Sequence, residues 1–252
     1  MASTVTRMEP ATPPAADRRT LQEEVLIVLA LSLLASAVYA ILDLFSAPLH
    51  GVTVASVNQS TQLIRQIVAV VFGLAPVWLV VHLLRRSGEG VQAIGLAWDR
   101  PAFDVRLGVA LFALIGLGGI AIYLGSVALG VNRFVVPVPP LGHWWTVPVL
   151  LLNAAAAALL EEVIVLGYLI TRLRQLAWSP VAAVAASAVL RGSYHLYQGW
   201  GGFAGNLAMG ILFGTLFLRV RRTWPFVIAH FLLDTAAGIG FILFRHHLPG
   251  FS

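Results

Sequence analysis

Hydrophobic residues fill long stretches of this chain, and short polar segments separate them. Seven apolar runs come close to the roughly 20 residues that a membrane-spanning helix needs. These runs are Val25–Phe45, Leu63–Leu84, Leu107–Leu129, Val147–Arg172, Pro180–Tyr197, Phe203–Leu218 and Trp224–Phe244. The pattern predicts an all-α, polytopic membrane bundle of about seven transmembrane helices, the sixth of which is short.

The amino-terminal segment before the first run is polar. Residues 1–22 are rich in Pro, Ala, Ser and Thr, and this composition predicts a disordered cytoplasmic tail. A secretory signal is the alternative, because Arg18 and Arg19 precede an apolar run. However, that run extends to Phe45, which is longer than the apolar part of a signal peptide. We therefore predict an uncleaved first span and one membrane domain over residues 23–252.

Arginine placement predicts the orientation of the spans. All basic residues are arginine, and they concentrate at the amino terminus and in every second connection. Cytoplasmic connections of membrane proteins carry the excess of basic residues. Arg85–Arg106 and Arg219–Arg222 are therefore predicted to be cytoplasmic, whereas Gly130–Thr146, which holds a single arginine, is predicted to be exterior.

Composition supports the membrane interpretation and excludes other classes of protein. Charged residues make up 11% of the chain, whereas soluble proteins have about 25%. This excludes a soluble globular enzyme, a disordered chain and a nucleic-acid binder, so the expected surroundings are a lipid bilayer. The absence of cysteine excludes disulfides, thiolate zinc sites and a cysteine nucleophile. The Ala-rich, lysine-free composition favours a multi-pass protein of a bacterial plasma membrane.

Ionisable residues lie inside the last four predicted spans, where each is costly unless it has a function or a partner. They are Glu161, Glu162, Arg191, His195, His230 and Asp234. Each alone is compatible with a polar contact between helices, but six within neighbouring helices favour a functional site. We therefore expect the chemistry in residues 146–245.

Spacing along the chain predicts that these side chains meet. His230 and Asp234 are four residues apart, so they lie on one face of a helix. Glu162 and His195 each lie about 17 residues, roughly 25 Å, from the turn predicted at Trp178–Pro180. Equal distances from the turn of a helical hairpin place both residues at the same depth.

The residues resemble a known family at this point. Glu161-Glu162, then Gly167-Tyr168-Leu169, then His195, and finally His230 through Asp234 resemble the motifs of the CPBP family of intramembrane proteases. This family is also called Abi or type II CAAX prenyl endopeptidases. Its pattern is Glu-Glu-x-x-x-Arg, then Phe-x-x-x-His, then His-x-x-x-Asn or Asp, on successive membrane helices.

The resemblance implies a membrane-embedded endopeptidase acting on a membrane-bound peptide or protein, prenylated or not. It implies that Glu161 and His195 activate water, that His230 and Asp234 support the oxyanion, and that Glu162 assists. An older interpretation of the family makes these groups zinc ligands, here Glu161, His195, His230 and Asp234. Carboxylates and neutral histidines are ordinary zinc ligands, so metal-dependent and metal-free mechanisms both stay open.

The chain departs from the family pattern in two places. Leu166 occupies the arginine position of the first motif, and Arg191 occupies the phenylalanine position of the second. In the predicted hairpin, residues 166 and 191 lie opposite each other. The same pairing of the two helices places Glu162 opposite His195. We therefore predict that Arg191 forms an ion pair with Glu162 (or Glu161) and replaces the missing arginine from the next helix.

A second class of function explains the same residues without catalysis. The chain would then be a membrane scaffold, an immunity or maturation factor, or a proton or ion pathway. A pathway needs polar residues across the whole membrane thickness, whereas these residues cluster at one depth. The sequence does not distinguish between substrates.

Overall fold

The structure, a computed structural model, describes residues 18–46, 62–130 and 141–245. These residues form helices joined by turns, with no strand among them. The ten α-helices of this described part are α1 (Arg18–Ala30), α2 (Leu33–Ser46), α3 (Gln62–Gly73), α4 (Ala75–Arg86), α5 (Pro101–Ala128), α6 (Thr146–Glu161), α7 (Leu169–Gln175), α8 (Pro180–Tyr194), α9 (Trp200–Val220) and α10 (Trp224–Phe244). The predicted all-α membrane bundle is confirmed.

Four helical segments of the described residues are long and apolar enough to cross a membrane. They are Leu63–Arg86, Thr146–Gln175, Trp200–Val220 and Trp224–Phe244, and they correspond to the second, fourth, sixth and seventh predicted spans. The fifth predicted span contains α8, which has 15 residues. The count of seven spans and their orientation therefore remain predictions.

The first two predicted spans contain irregularities that the apolar pattern does not show. Turn residues Leu31 and Ser32 separate α1 from α2, where the Ser32 hydroxyl donates to the Val28 carbonyl at 2.5 Å. Such bonds from serine to the preceding turn bend helices. Leu74 separates α3 from α4, beside Pro76, which has no backbone N–H to donate.

Helix α1 begins inside the segment predicted to be a disordered tail. Helix α1 begins at Arg18, so residues 18–22 are helical, and Arg19 pairs with Glu23 one turn later at 3.0 Å. An i,i+4 pair of this kind supports a helix end. The other predicted tail residues, 1–17, lie outside the described part of the structure, as do 47–61, 131–140 and 246–252.

The segment Thr146–Gln175 is the central helix of the fold. More than half of its apolar window (56%) is buried, compared with 17–33% for the other three candidate spans. Its middle is a π-helical segment, Glu162–Tyr168, that joins α6 to α7 and is buried throughout. Segments of this kind are often found at functional sites. The Ser187 hydroxyl of α8 donates to the Val165 carbonyl at 2.7 Å and so fastens α8 to this segment.

Helix α8 packs between α9 and α2. Gly210 allows the approach of α9, because a Cβ atom at this position would lie only 2.8 Å from the Ala188 Cα atom. Helix α10 packs against α5 and α6. These neighbours bring α6, α8 and α10 together around the π-helical segment.

Arginine-rich connections meet on one side of the bundle. Arg222 donates to both carboxylate oxygens of buried Asp104, at 2.6 and 2.7 Å, and also contacts Asp99 at 2.7 Å. Arg172 contacts Glu89 at 2.5 Å. The connection between α4 and α5 therefore lies beside both the α7 end and the α9–α10 turn. The arginine-based topology places these connections on one side of the membrane, and their contacts agree with that placement.

Candidate active site

The candidate site residues lie on three segments: the central helix, α8 with the turn that follows it, and α10. Glu161 ends α6 and Glu162 begins the π-helical segment. Arg191 lies in the last turn of α8, and His195 directly follows the end of this helix. His230 and Asp234 lie one turn apart on α10.

Glu162 is the buried centre of the site. Its Oε1 atom accepts a hydrogen bond from Nη2 of Arg191 and lies 2.7 Å from Nδ1 of His230. Glu162 and Arg191 are 0% and 1% exposed, respectively. The contact that the hairpin register predicts between Arg191 and Glu162 is present in the structure. A fully buried carboxylate needs such partners, because an unpaired buried charge is strongly unfavourable.

Glu161 has a different environment. Its Oε2 atom accepts a hydrogen bond from the Tyr194 hydroxyl at 2.8 Å and lies 3.8 Å from Nη1 of Arg191. Its side chain keeps 13% of its exposure. Glu161 is therefore the glutamate that water can reach, whereas Glu162 is committed to its buried partners.

His195 is oriented by the backbone. Its Nδ1 atom lies 2.9 Å from the Arg191 carbonyl oxygen. Because a carbonyl only accepts hydrogen bonds, Nδ1 carries the proton, and Nε2 of the neutral ring is left as the acceptor. The ring packs on Tyr194, with 4.7 Å between ring centroids.

Glu161 and His195 share one cavity of about 380 Å³. Three small or aliphatic side chains of α2 form the opposite wall, and two tyrosines complete the lining. The lining residues are Leu33, Ser36, Ala40, Glu161, Tyr194, His195 and Tyr197.

His230 and Asp234 do not line this cavity. Nε2 of His230 lies 3.4 Å from Oδ2 of Asp234, and the Asp234 side chain is 43% exposed. His230 thus lies between Glu162 and Asp234. The oxyanion role that the resemblance implies for these two residues stays a prediction.

The predicted zinc ligands are not grouped as a metal site. Within the described residues, no three His, Asp or Glu side chains come together in an arrangement that could hold an ion. The nitrogens of His230 face Glu162 and Asp234, and the guanidinium of Arg191 supplies the positive charge between the two glutamates. Glu161, His195, His230 and Asp234 therefore do not meet at one point in this arrangement, and zinc binding by these four residues stays a prediction.

Sequence reasoning missed three parts of this site. The π-helical segment has no sequence signal, because it depends on contacts with α8. The wall formed by α2 was not foreseen, because Leu33, Ser36 and Ala40 lie in an ordinary apolar run. Tyr194 was also overlooked, although a hydroxyl directly before His195 in an apolar span was a usable signal.

The fold and the site together define a membrane helix bundle with a buried carboxylate–arginine–histidine cluster beside an open cavity. A family model described as "Type II CAAX prenyl endopeptidase Rce1-like" matches residues 143–236. This range contains all six ionisable residues of the site, and the match confirms the predicted resemblance. No curated protein and no solved structure gives a significant match to the chain.

Proposed function

We propose that this protein is an intramembrane endopeptidase in which Glu161 and His195 activate water without a metal ion. The observation that carries the proposal is the division of labour between the two glutamates. Glu161 lines a cavity with His195, whereas Glu162 is held by Arg191 and His230. The match to a CAAX-type protease family supports the reaction class.

The chemistry requires a base within reach of a water molecule. A water in the cavity donates one hydrogen bond to the Glu161 carboxylate and one to Nε2 of His195. Its oxygen attacks the scissile carbonyl carbon while its proton passes to this pair. The carbon–nitrogen bond then breaks, and the pair returns the proton to the leaving amine. Arg191, Glu162 and His230 hold the geometry throughout.

The substrate is proposed to be a membrane-bound peptide or protein that reaches the cavity from the bilayer. The exposed surfaces of the candidate spans are apolar, so the bilayer surrounds the site. Both prenylated CAAX-type peptides and unprenylated single-span peptides satisfy this description.

The test uses purified protein in liposomes with two probes, a farnesylated CAAX-type peptide and an unprenylated single-span peptide. We expect cleavage of at least one probe, equal rates with and without a zinc chelator, and loss of cleavage in Glu161→Gln. Cleavage that stops with the chelator and returns with added zinc would contradict the metal-free mechanism. Undiminished cleavage by Glu161→Gln would contradict the assignment of the base.

A further inference from the structure

Among the described residues that line the cavity, Tyr194 alone donates a hydrogen bond to Glu161, the proposed base. Its hydroxyl donates to Oε2 of Glu161 at 2.8 Å. The tyrosine is 5% exposed, so it is largely shielded from competing water. A hydrogen bond to a charged partner in such surroundings is stronger than one at an exposed surface.

Tyr194 and His195 both reach the cavity at the point where helix α8 ends. Successive side chains of a continuous helix point about 100° apart, so they rarely line one pocket together. Here α8 ends at Tyr194, and His195 starts the turn to the next short helical segment with φ −97° and ψ 3°. Both side chains nevertheless line the cavity.

The hydrogen bond distinguishes the two oxygens of Glu161. Oε2 holds the Tyr194 hydroxyl and faces Nη1 of Arg191 at 3.8 Å. Among the described residues, no protein donor is hydrogen-bonded to Oε1. The hydrogen bond to Oε2 thus holds the carboxylate in place, and Oε1 remains open to a water molecule.

We infer that Tyr194 is a positioning residue that orients Glu161 for water activation. This inference rests on the proposed function, because it assigns Tyr194 to the same reaction. Tyr194 acts through Glu161 and not on the peptide, so its hydroxyl affects the chemical step and not substrate binding. The aromatic ring remains a wall of the cavity whether or not the hydroxyl is present.

The test replaces the hydroxyl alone, with Tyr194→Phe assayed on whichever liposome probe the wild type cleaves. We expect kcat to fall about 10- to 100-fold, as for loss of a hydrogen bond to a charged group, while KM stays within about 2-fold. Tyr168→Phe is the matched control, because this buried tyrosine lies on the π-helical segment and outside the cavity lining. It should keep the wild-type kcat.

A double-variant comparison separates positioning from a direct role on the substrate, and it remains informative if Tyr194→Phe is less stable. Glu161→Asp withdraws the carboxylate by one methylene, beyond reach of the hydroxyl. Adding Tyr194→Phe to Glu161→Asp should then change the single-turnover rate by less than about 3-fold. Losses that multiply in the double variant, or a kcat of Tyr194→Phe within about 2-fold of wild type, would overturn the inference.

The two proposals fail in different ways. Full cleavage by Glu161→Gln defeats the proposed function itself. Loss of cleavage in Glu161→Gln together with full activity of Tyr194→Phe leaves the proposed function intact and removes only the positioning role.

Discussion

Arg191 contacts Glu162 from α8, whereas the family pattern has its arginine on the helix of the glutamates. In the family pattern an arginine lies four residues after the second glutamate, on the same helix. This chain has Leu166 there, 2% exposed and packed in the core. The guanidinium of Arg191 instead reaches Glu162 from α8. We predict that this contact takes the place of an ion pair that the motif arginine would make with Glu162.

Exchanging the two positions tests this replacement. Arg191→Phe restores the family residue of the second motif but leaves Glu162 buried beside only His230. Removing one partner of a buried ion pair costs about 3–5 kcal/mol, so we expect a lower unfolding midpoint and loss of cleavage. Adding Leu166→Arg should recover much of both losses.

Arg219→Phe provides the control, because Arg219 is an exposed arginine near the end of α9. It should leave stability and cleavage near the wild-type values. Wild-type stability of Arg191→Phe would contradict the replacement, as would a failure of Leu166→Arg to improve the double variant.

Glu89 makes stability depend on pH at the arginine-rich side of the bundle. Partial burial alone would raise the pKa of Glu89, but hydrogen bonds from Arg172 and Gln175 outweigh it and hold the pKa below the ordinary value of 4.5. A carboxyl whose pKa is lower in the folded state stabilises the fold above its unfolded pKa. That stability is lost as the pH falls through the folded pKa.

Glu89→Gln is therefore expected to lower the unfolding midpoint at pH 7 by about 2–4 °C. The difference from wild type should shrink as the pH falls below 4.5, because the wild-type carboxyl becomes neutral as well. Thermal unfolding in detergent at a series of pH values measures both effects. Glu23→Gln, which removes an exposed pair with Arg19, should show little difference at any pH. A difference for Glu89→Gln that persists unchanged into acid would contradict the ion pair with Arg172.

At the scale of helices, the close packing of α8 against α9 keeps Arg191 in place. A Cβ atom on Gly210 would lie 2.8 Å from the Cα atom of Ala188 and 3.4 Å from Cδ of Arg191. The first contact involves backbone, so an added methyl group would force the helices apart. Membrane helices commonly use small residues to allow such approaches.

Gly210→Ala should therefore destabilise the protein by about 1–3 kcal/mol and reduce cleavage by displacing Arg191. Gly205→Ala on the same helix is the matched control, because a Cβ atom there would meet nothing within 4 Å. In an α-helix that change alone should stabilise by up to about 1 kcal/mol. If Gly210→Ala and Gly205→Ala shift the unfolding midpoint in the same direction, the close contact is contradicted.

Comparison of the helices with the apolar pattern shows what sequence can predict here. The runs around α6–α7, α9 and α10 are long, so their hydrophobicity alone identifies them as spans. The glutamates, histidines, Arg191 and Asp234 were identified because charge inside a bilayer is costly. The predicted hairpin register placed Arg191 about one turn from Glu162, and the two side chains are in contact although a π-helical segment lies between Glu162 and α7.

Other features could not be predicted, because they depend on contacts between distant segments. The π-helical segment is fastened by the Ser187 hydroxyl, which lies 22 residues after its Val165 partner. The wall from α2 depends on where the first span packs, and hydrophobicity does not encode that position.

For the whole molecule, labelling in the membrane can test on which side the arginine-rich connections lie. Since the chain has no cysteine, single cysteines can be introduced at exposed Gly142 and Ala93. The arginine bias predicts that Gly142→Cys reacts with an impermeant thiol reagent from outside the cell, and Ala93→Cys only after the membrane is opened. The reverse labelling pattern would contradict the predicted orientation.

The proposed reaction requires Glu161 and His195 to act as one unit on the same water molecule. Single-turnover cleavage in liposomes by Glu161→Gln, His195→Asn and the double variant decides this. We predict that each single variant is slower than wild type by at least about 100-fold. The double variant should be no more than about 3-fold slower than the slower single variant, because groups that act together are not additive. A near wild-type rate for either single variant, or losses that multiply in the double variant, would contradict water activation by this pair.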